Sequence, residues 1–336
     1  YVDRLGQRKV MGPLLTIEVA ANVAFLLAAI MHASPVLVAL ITVIAGATWG
    51  APGAFVRARW TNALKDQPKG LTTAFALESA IDEFVYILGP VLSTVLGTLF
   101  HPGVGLVLIC LFLGIGGFWF FSQSASEPAP RPKAEGERRQ SVLRNPAVVV
   151  MVLTYIAMGS MFGANDVAVV AFAAALGVPS MSGVLLAFFS IGSLLAGLWY
   201  GSRRWTQPLW SLFAFGVVLL AIGTSTYLLA HSIPVMALVM TLTGITCAPT
   251  MTNVNTVIAR IVAPERLTEG LTWVGTSLNI GLSLGSAMAG PVIDAGGARS
   301  GYFVMVGAAW VMVAIMVLGL PSLRRATTSL HPRIEE

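Results

Sequence analysis

Five carboxylates lie within or at the edge of long apolar runs: Glu18, Glu78, Asp82, Glu83 and Asp166. An ionisable group in such a setting is costly and is a functional candidate by default. Burial makes a carboxyl group harder to ionise, which brings proton exchange towards neutral pH. Glu78 and Asp82 are four residues apart and share one helical face with Tyr86, Gly89 and Ser93. Glu83 points about 100° away from Asp82 on an ideal helix, towards a neighbouring element. Asp166 follows Asn165 and lies about 30 Å along its helix, where a gate and a solvated end are equally open readings. Uncharged polar residues accompany these acids. Thr272, Thr276, Asn279, Ser283 and Ser286 form one stripe, and Thr243, Thr246, Thr250 and Asn253 form another. In the second stripe the threonines are expected to join helices, and Asn253 is a candidate contact for a polar solute. The chemistry available is proton exchange and hydrogen bonding to a small molecule.

Other chemistries lack their residues. There is no His-Glu-x-x-His, phosphate loop or nucleophile elbow, and Gly281-Leu282-Ser283-Leu284-Gly285 reads as helix close packing. Cys110 and Cys247 have no metal-ligand spacing. His32, His101 and His231 fall at helix ends as interfacial residues. The expectation is a non-enzyme without metal or cofactor.

Positioning those acids is the task of apolar helices. Of the 336 residues 56% are hydrophobic and only 10% are charged, against about 25% charged in an average soluble domain. Residues 19–56, 84–126, 167–202 and 205–259 contain no Asp, Glu, Lys or Arg. One membrane span needs about 20 apolar residues, so these runs read as hairpins of two spans. Turn chemistry at Ser34-Pro35, His101-Pro102-Gly103, Val178-Pro179-Ser180, Ser232-Ile233-Pro234 and Asp294-Ala295-Gly296-Gly297 sets the breaks. The result is an all-α polytopic membrane protein with ten helices near 12–31, 36–56, 71–99, 103–122, 146–173, 180–201, 208–230, 234–258, 268–293 and 300–320.

The net charge of +5 is distributed unevenly. Alternate inter-helix segments hold every basic residue of the 20 except Arg299. Excess Lys and Arg marks the cytoplasmic side, so both termini are expected there, with an even number of spans. The basic balance then reflects topology, and no nucleic-acid partner is expected. Residues 123–144 are rich in Pro, Ser and mixed charge and form a cytoplasmic linker. The expected domains are a helical bundle at 1–122, the linker, a six-helix bundle at 145–322 and a cytoplasmic tail at 323–336.

The two halves repeat each other. Gly70-Leu71-Thr72 and Gly89-Pro90-Val91 are matched by Gly270-Leu271-Thr272 and Gly290-Pro291-Val292. Gly46-Ala47-Thr48-Trp49-Gly50-Ala51-Pro52 is echoed by Gly244-Ile245-Thr246-Cys247-Ala248-Pro249. In this register Glu78 aligns with Asn279 and Asp82 with Ser283, so both helices are expected to line one cavity. The register also implies two further helices before residue 1, hence twelve in a full protein.

Tyr1-Val2-Asp3-Arg4-Leu5-Gly6-Gln7-Arg8-Lys9 resembles the loop signature of the major facilitator superfamily, Gly-x-Leu-x-Asp-Arg-x-Gly-Arg-Arg/Lys. It retains Asp3, Arg4, Gly6, Arg8 and Lys9. Gly197-Leu198-Trp199-Tyr200-Gly201-Ser202-Arg203-Arg204 is similar to a degenerate second copy without the Asp. The resemblance implies a two-bundle permease of the plasma membrane with a central cavity, working by rocking of its halves. Asp3 and Arg4 would then latch the halves on the cytoplasmic side, with Asp3 near Thr268 to Gly270. A carboxylate near a helix N-terminus is favoured by about 0.3–1 kcal/mol when exposed. Two features depart from the drug-antiporter members. The fifth family helix reads Gly89-Pro90-Val91-Leu92-Ser93-Thr94 in place of Gly-Pro-x-x-Gly-Gly, and the stretch from Leu40 to Gly46 lacks a basic residue. The expected function is secondary active transport of a small organic solute, as proton-coupled efflux by an antiporter that works as a monomer. The alternative is a non-transporting, receptor-like or inactive remnant of the family.

Overall fold

The computed structural model describes residues 2–50, 52–64, 67–128, 141–203, 205–262 and 266–328. The side chains of Asp3, Arg4, Asp82, Glu83, Tyr86 and Thr268 lie outside the described set. Among the described residues there is no strand, so the all-α expectation holds.

After the one-turn helix Val2–Leu5, eleven longer helices follow among the described residues: α1 (Gln7–Ile30), α2 (Pro35–Thr48), α3 (Pro52–Ala63), α4 (Pro68–Leu99), α5 (Val104–Ser122), α6 (Pro146–Ala175), α7 (Met181–Gly201), α8 (Leu209–Ser225), α9 (Ile233–Ile261), α10 (Leu267–Gly296) and α11 (Ser300–Thr328). Local chemistry sets their ends. Ser34 and Asn145 cap α2 and α6 by accepting the Leu37 and Ala147 amides, and a proline follows each cap. Gly177 and Gly297 take positive φ just past α6 and α10, where a side chain would strain the backbone.

One expected helix is broken. The stretch 36–56 divides into α2 and α3 at Trp49-Gly50, ahead of Pro52. A proline removes a helical donor and disfavours helical backbone in the residue before it. In α5 the helix widens to a π turn over Phe112–Gly116, a stretch with two glycines.

Seven of the helices, α1, α5, α6, α7, α8 (with the 3₁₀ turn to Leu229), α9 and α11, are long and apolar enough to cross a membrane. The other three regions expected as spans fall short for identifiable reasons. Helix α2 has 14 residues, about 21 Å of rise. In α4 the described residues include an apolar stretch at 87–99, and α10 carries the threonine and serine stripe.

The chain divides into two compact units, residues 1–85 with 96–138, and residues 86–95 with 139–336. In the first, Met11 and Leu15 of α1 pack with Phe121 of α5, and Phe55 of α3 meets Phe121 edge-on at 5.9 Å. In the second, α6 is the most enclosed helix. Met151, Met158 and Met161 are buried on it, in one apolar cluster with Met236 and Met240 of α9 and Met305 and Met312 of α11. Unbranched thioethers fill an irregular interior well.

Glycines let two helix pairs of the second unit touch backbone to backbone. A Cβ on Gly159 or Gly163 of α6 would run into the Leu278 or Leu282 carbonyl of α10. Reciprocally, one on Gly281 or Gly285 would strike the Ile156 or Ser160 carbonyl. In α7 and α9, Gly192 and Gly244 face the Thr241 and Phe189 carbonyls in the same way. Gly281 to Gly285 runs through unbroken helix, and Ser283 Oγ donates to Asn279 O at 3.1 Å. Close packing is its use, as the sequence indicated.

Candidate functional site

The loop signature enters α1 through Gly6, whose φ of 92° places it in backbone that favours glycine. Gln7 is buried just inside the helix, and Arg8 and Lys9 are exposed. The Arg8 amide donates to Glu127 Oε1 at 3.1 Å, which ties the signature to the first turn after α5. The Asp3 and Arg4 side chains, expected to form the latch, lie outside the described residues.

The centre of this corner is Arg59 of α3, which is 5% exposed. Its Nε donates to Gln7 Oε1 at 2.9 Å. Its Nη1 donates to Phe120 O at 2.9 Å, Gln123 O at 2.8 Å and Ser126 Oγ at 3.1 Å. The guanidinium also lies over the Phe120 ring, 3.9 Å from its centroid. Arg59 thereby satisfies carbonyls left open at the end of α5. Burial lowers the pKa of the guanidinium, and the charge of Glu127 opposes that shift. Sequence reasoning missed this role. The available signal was an arginine in the last turns of a helix, one of several at that end of the molecule.

Among the acids, Glu78 is buried, and its Oε1 lies 3.4 Å from where a Cβ on Gly53 of α3 would stand. It therefore faces α3 inside the first unit. Asp82, Glu83 and Tyr86 belong to α4, with side chains outside the described residues. Glu18, a candidate at the edge of its apolar run, is 3% exposed. The helical turn places it on the inward stripe of α1 with Met11, Leu15 and Ala21.

In the second unit the polar stripe of α10 is exposed at Thr272, Thr276, Asn279 and Ser283, while Val274, Ser277, Gly281, Gly285 and Ala289 are buried. Ser286 leaves the stripe, because its Oγ donates to Gly163 O at 3.1 Å. Glu269, within the region 268–270 expected to face Asp3, accepts the Val142 amide at 3.2 Å. Asn253 is buried and its Oδ1 accepts from Tyr200 Oη at 2.7 Å. Tyr200 stacks on Trp205 at 4.5 Å, and the Trp205 indole donates to the Tyr200 carbonyl. That oxygen of Asn253 is engaged within the bundle. Asp166 is accessible, though closely surrounded by protein atoms, and its Oδ1 accepts from Asn165 Nδ2 at 3.4 Å.

This arrangement has recognisable counterparts. A family model described as "Major Facilitator Superfamily" matches residues 151–335. A search of curated proteins finds no match. The fold is similar to a solved structure described as the crystal structure of a bacterial homologue of the iron transporter ferroportin in its inward-facing state. The TM-score is 0.62 at 11% identity, over 93% of this chain and 82% of that one. At that identity the likeness is one of fold. The matched model spans more than half of the chain, over an all-helical architecture with seven apolar spans. The chain belongs to the Major Facilitator Superfamily of membrane transporters.

Proposed function

We propose that the protein is a proton-coupled secondary transporter that expels a small organic solute from the cell by alternating access, its two bundles rocking about a central cavity. The observation that carries this reading is the pair Glu78 and Asp82, one turn apart on α4, with Glu78 buried against α3. A second charge one turn away raises the cost of ionising both carboxyls. A pair of this kind takes up a proton on one side and releases it when the cavity reopens on the other. Asp82 lies about 21 Å along α4 from Pro68, well inside a core of about 30 Å. Glu83, Tyr86, Asp166, Thr276 and Asn279 are assigned to the cavity wall, with Asn253 behind it. The segment Asp3, Arg4, Gly6, Arg8 and Lys9 is assigned to the cytoplasmic gate. Both termini and the 123–144 linker are placed in the cytoplasm, in a ten-span arrangement.

The test is Asp82→Asn in the complete protein reconstituted in vesicles. Gradient-driven accumulation should fall to the uncoupled level, while substrate exchange without a proton gradient survives. If Asp82 only joins two helices by a hydrogen bond, Asn substitutes for it and the driven rate is unchanged. That outcome removes Asp82 from the coupling role.

A further inference from the structure

The outward face of α11 changes character along its last three turns. Val317, Pro321, Arg324 and Thr328 recur at steps of four, three and four residues, which keeps them on one side of the helix. Met316, Gly319 and Leu323 are buried on another. The outward stripe begins apolar and ends basic over about 16 Å of helix. With Leu320 and Arg325 its residues line a hollow of about 440 Å³.

The helix does not spend its arginines on its own open carbonyls. Thr327 Oγ1 donates to Leu323 O at 2.9 Å, and Thr328 Oγ1 donates to Arg324 O at 2.6 Å. Among the described residues, the Arg324 and Arg325 guanidinium groups make no hydrogen bond and no ion pair. Arg324 lies instead over the Trp210 ring, 5.2 Å from its centroid. Stacking occupies the face of the guanidinium and leaves its N–H edge open. Trp210 is the second residue of α8 and packs against the apolar core of the unit, so it is a fixed platform. Tryptophan also favours the level where membrane hydrocarbon gives way to water.

Charge and polarity along the stripe select the occupant. Two adjacent arginines without acidic partners call for an anion, and their forked donors match phosphate oxygens. The wall that leads away from them calls for hydrocarbon. Val317 is 53% exposed, and its neighbour Leu318 is 82% exposed. A soluble phosphate would use the basic end alone, whereas a phospholipid uses both ends.

We propose that this hollow at the end of α11 binds an anionic diacyl phospholipid. Arg324 and Arg325 hold the phosphate, Trp210 fixes the Arg324 guanidinium, and an acyl chain runs along Val317 and Leu320. The proposal does not depend on the acids of α4.

The test uses the full chain purified in detergent with three probes: phosphatidylglycerol, phosphatidylcholine of the same acyl chains, and water-soluble glycerol 3-phosphate. Bound lipid is counted by native mass spectrometry, and unfolding midpoints are recorded in parallel. Phosphatidylglycerol should be held about tenfold more tightly than phosphatidylcholine, and glycerol 3-phosphate should not displace it. Arg324→Gln combined with Arg325→Gln abolishes the preference. Arg260→Gln combined with Arg266→Gln removes the same charge elsewhere and leaves it intact. Trp210→Leu weakens it about threefold. Should the glutamine pair unfold, Arg324→Lys with Arg325→Lys is the conservative variant, and it should keep a reduced preference because an ammonium lacks the fork. Equal retention of the two lipids would overturn the proposal, as would an unchanged preference in the folded glutamine or lysine pair. Displacement by glycerol 3-phosphate would reassign the hollow to a soluble phosphate. Phosphatidylglycerol binding that appears only after removal of residues 329–336 would reassign it to the tail. Either result overturns the proposal.

Discussion

Arg59 engages four acceptors on two separate chain segments. Arg59→Leu should therefore destabilise the protein by on the order of 3 kcal/mol, since it removes charge-assisted bonds and leaves buried carbonyls open. Arg59→Lys should recover only part of that loss, because a single ammonium cannot reproduce the planar fork. Thermal unfolding of the two variants in one detergent measures the difference. Little of this was legible beforehand. Arg59 entered the sequence reading only as one of the basic residues marking a side of the membrane, because composition records a charge and not the carbonyls that face it. Asn253 is the opposite case. Its position in an apolar helix made it a candidate solute contact, and its hydrogen-bond partner Tyr200 lies 53 residues away in sequence. Tyr200→Phe should release that oxygen at a cost of about 1 kcal/mol. If Asn253 serves only the bundle, Tyr200→Phe and Asn253→Leu together should leave substrate affinity unchanged in a binding assay.

At the scale of helices, periodicity and turn chemistry carried the reading far. The hairpin turn before Pro35 and the start of α6 at Pro146 appear where the sequence put them. The break between α2 and α3 was missed because Gly50 and Pro52 sit in an uninterrupted apolar run, where hydropathy outweighs a single proline. The glycine contacts were half legible. Gly281 and Gly285 suggested close packing, but nothing local named Gly159 and Gly163 as their counterpart. These contacts predict large penalties for small changes. Gly163→Val or Gly285→Val drives a branched side chain into a backbone carbonyl, and overpacking of this kind costs about 1–3 kcal/mol or more. Gly275, which faces open space, should accept alanine with little change. Parallel unfolding curves for these variants check the contrast.

The whole molecule was the most legible level and in one respect the least. Sparse charge and long apolar runs established a polytopic helical membrane protein, and the loop signature pointed to the family the chain belongs to. The count of spans was harder, because the helices that fall short of an apolar span are those with polar stripes or a break. Orientation rests on the distribution of Lys and Arg, which side-chain geometry does not report. With Cys110 and Cys247 replaced, a cysteine at exposed Ala125 should resist an impermeant reagent in intact cells and react after permeabilisation. Labelling in intact cells would reverse the assigned orientation.

The glycine seams of the second unit also limit what its helices can do mechanically. Where a carbonyl of one helix rests in the notch of another, sliding by one residue carries it out of the notch and against a side chain. The glycines recur every four residues in both α6 and α10, so the next position in which notches and carbonyls coincide is a full step of four residues away. At 1.5 Å per residue that step is about 6 Å. Small adjustments of register are excluded, and α6 with α10 must move as one solid piece, as must α7 with α9. Any bending that the unit undergoes is displaced to places where the helical ladder is already interrupted. In α9 that place is Pro249, two residues beyond Cys247.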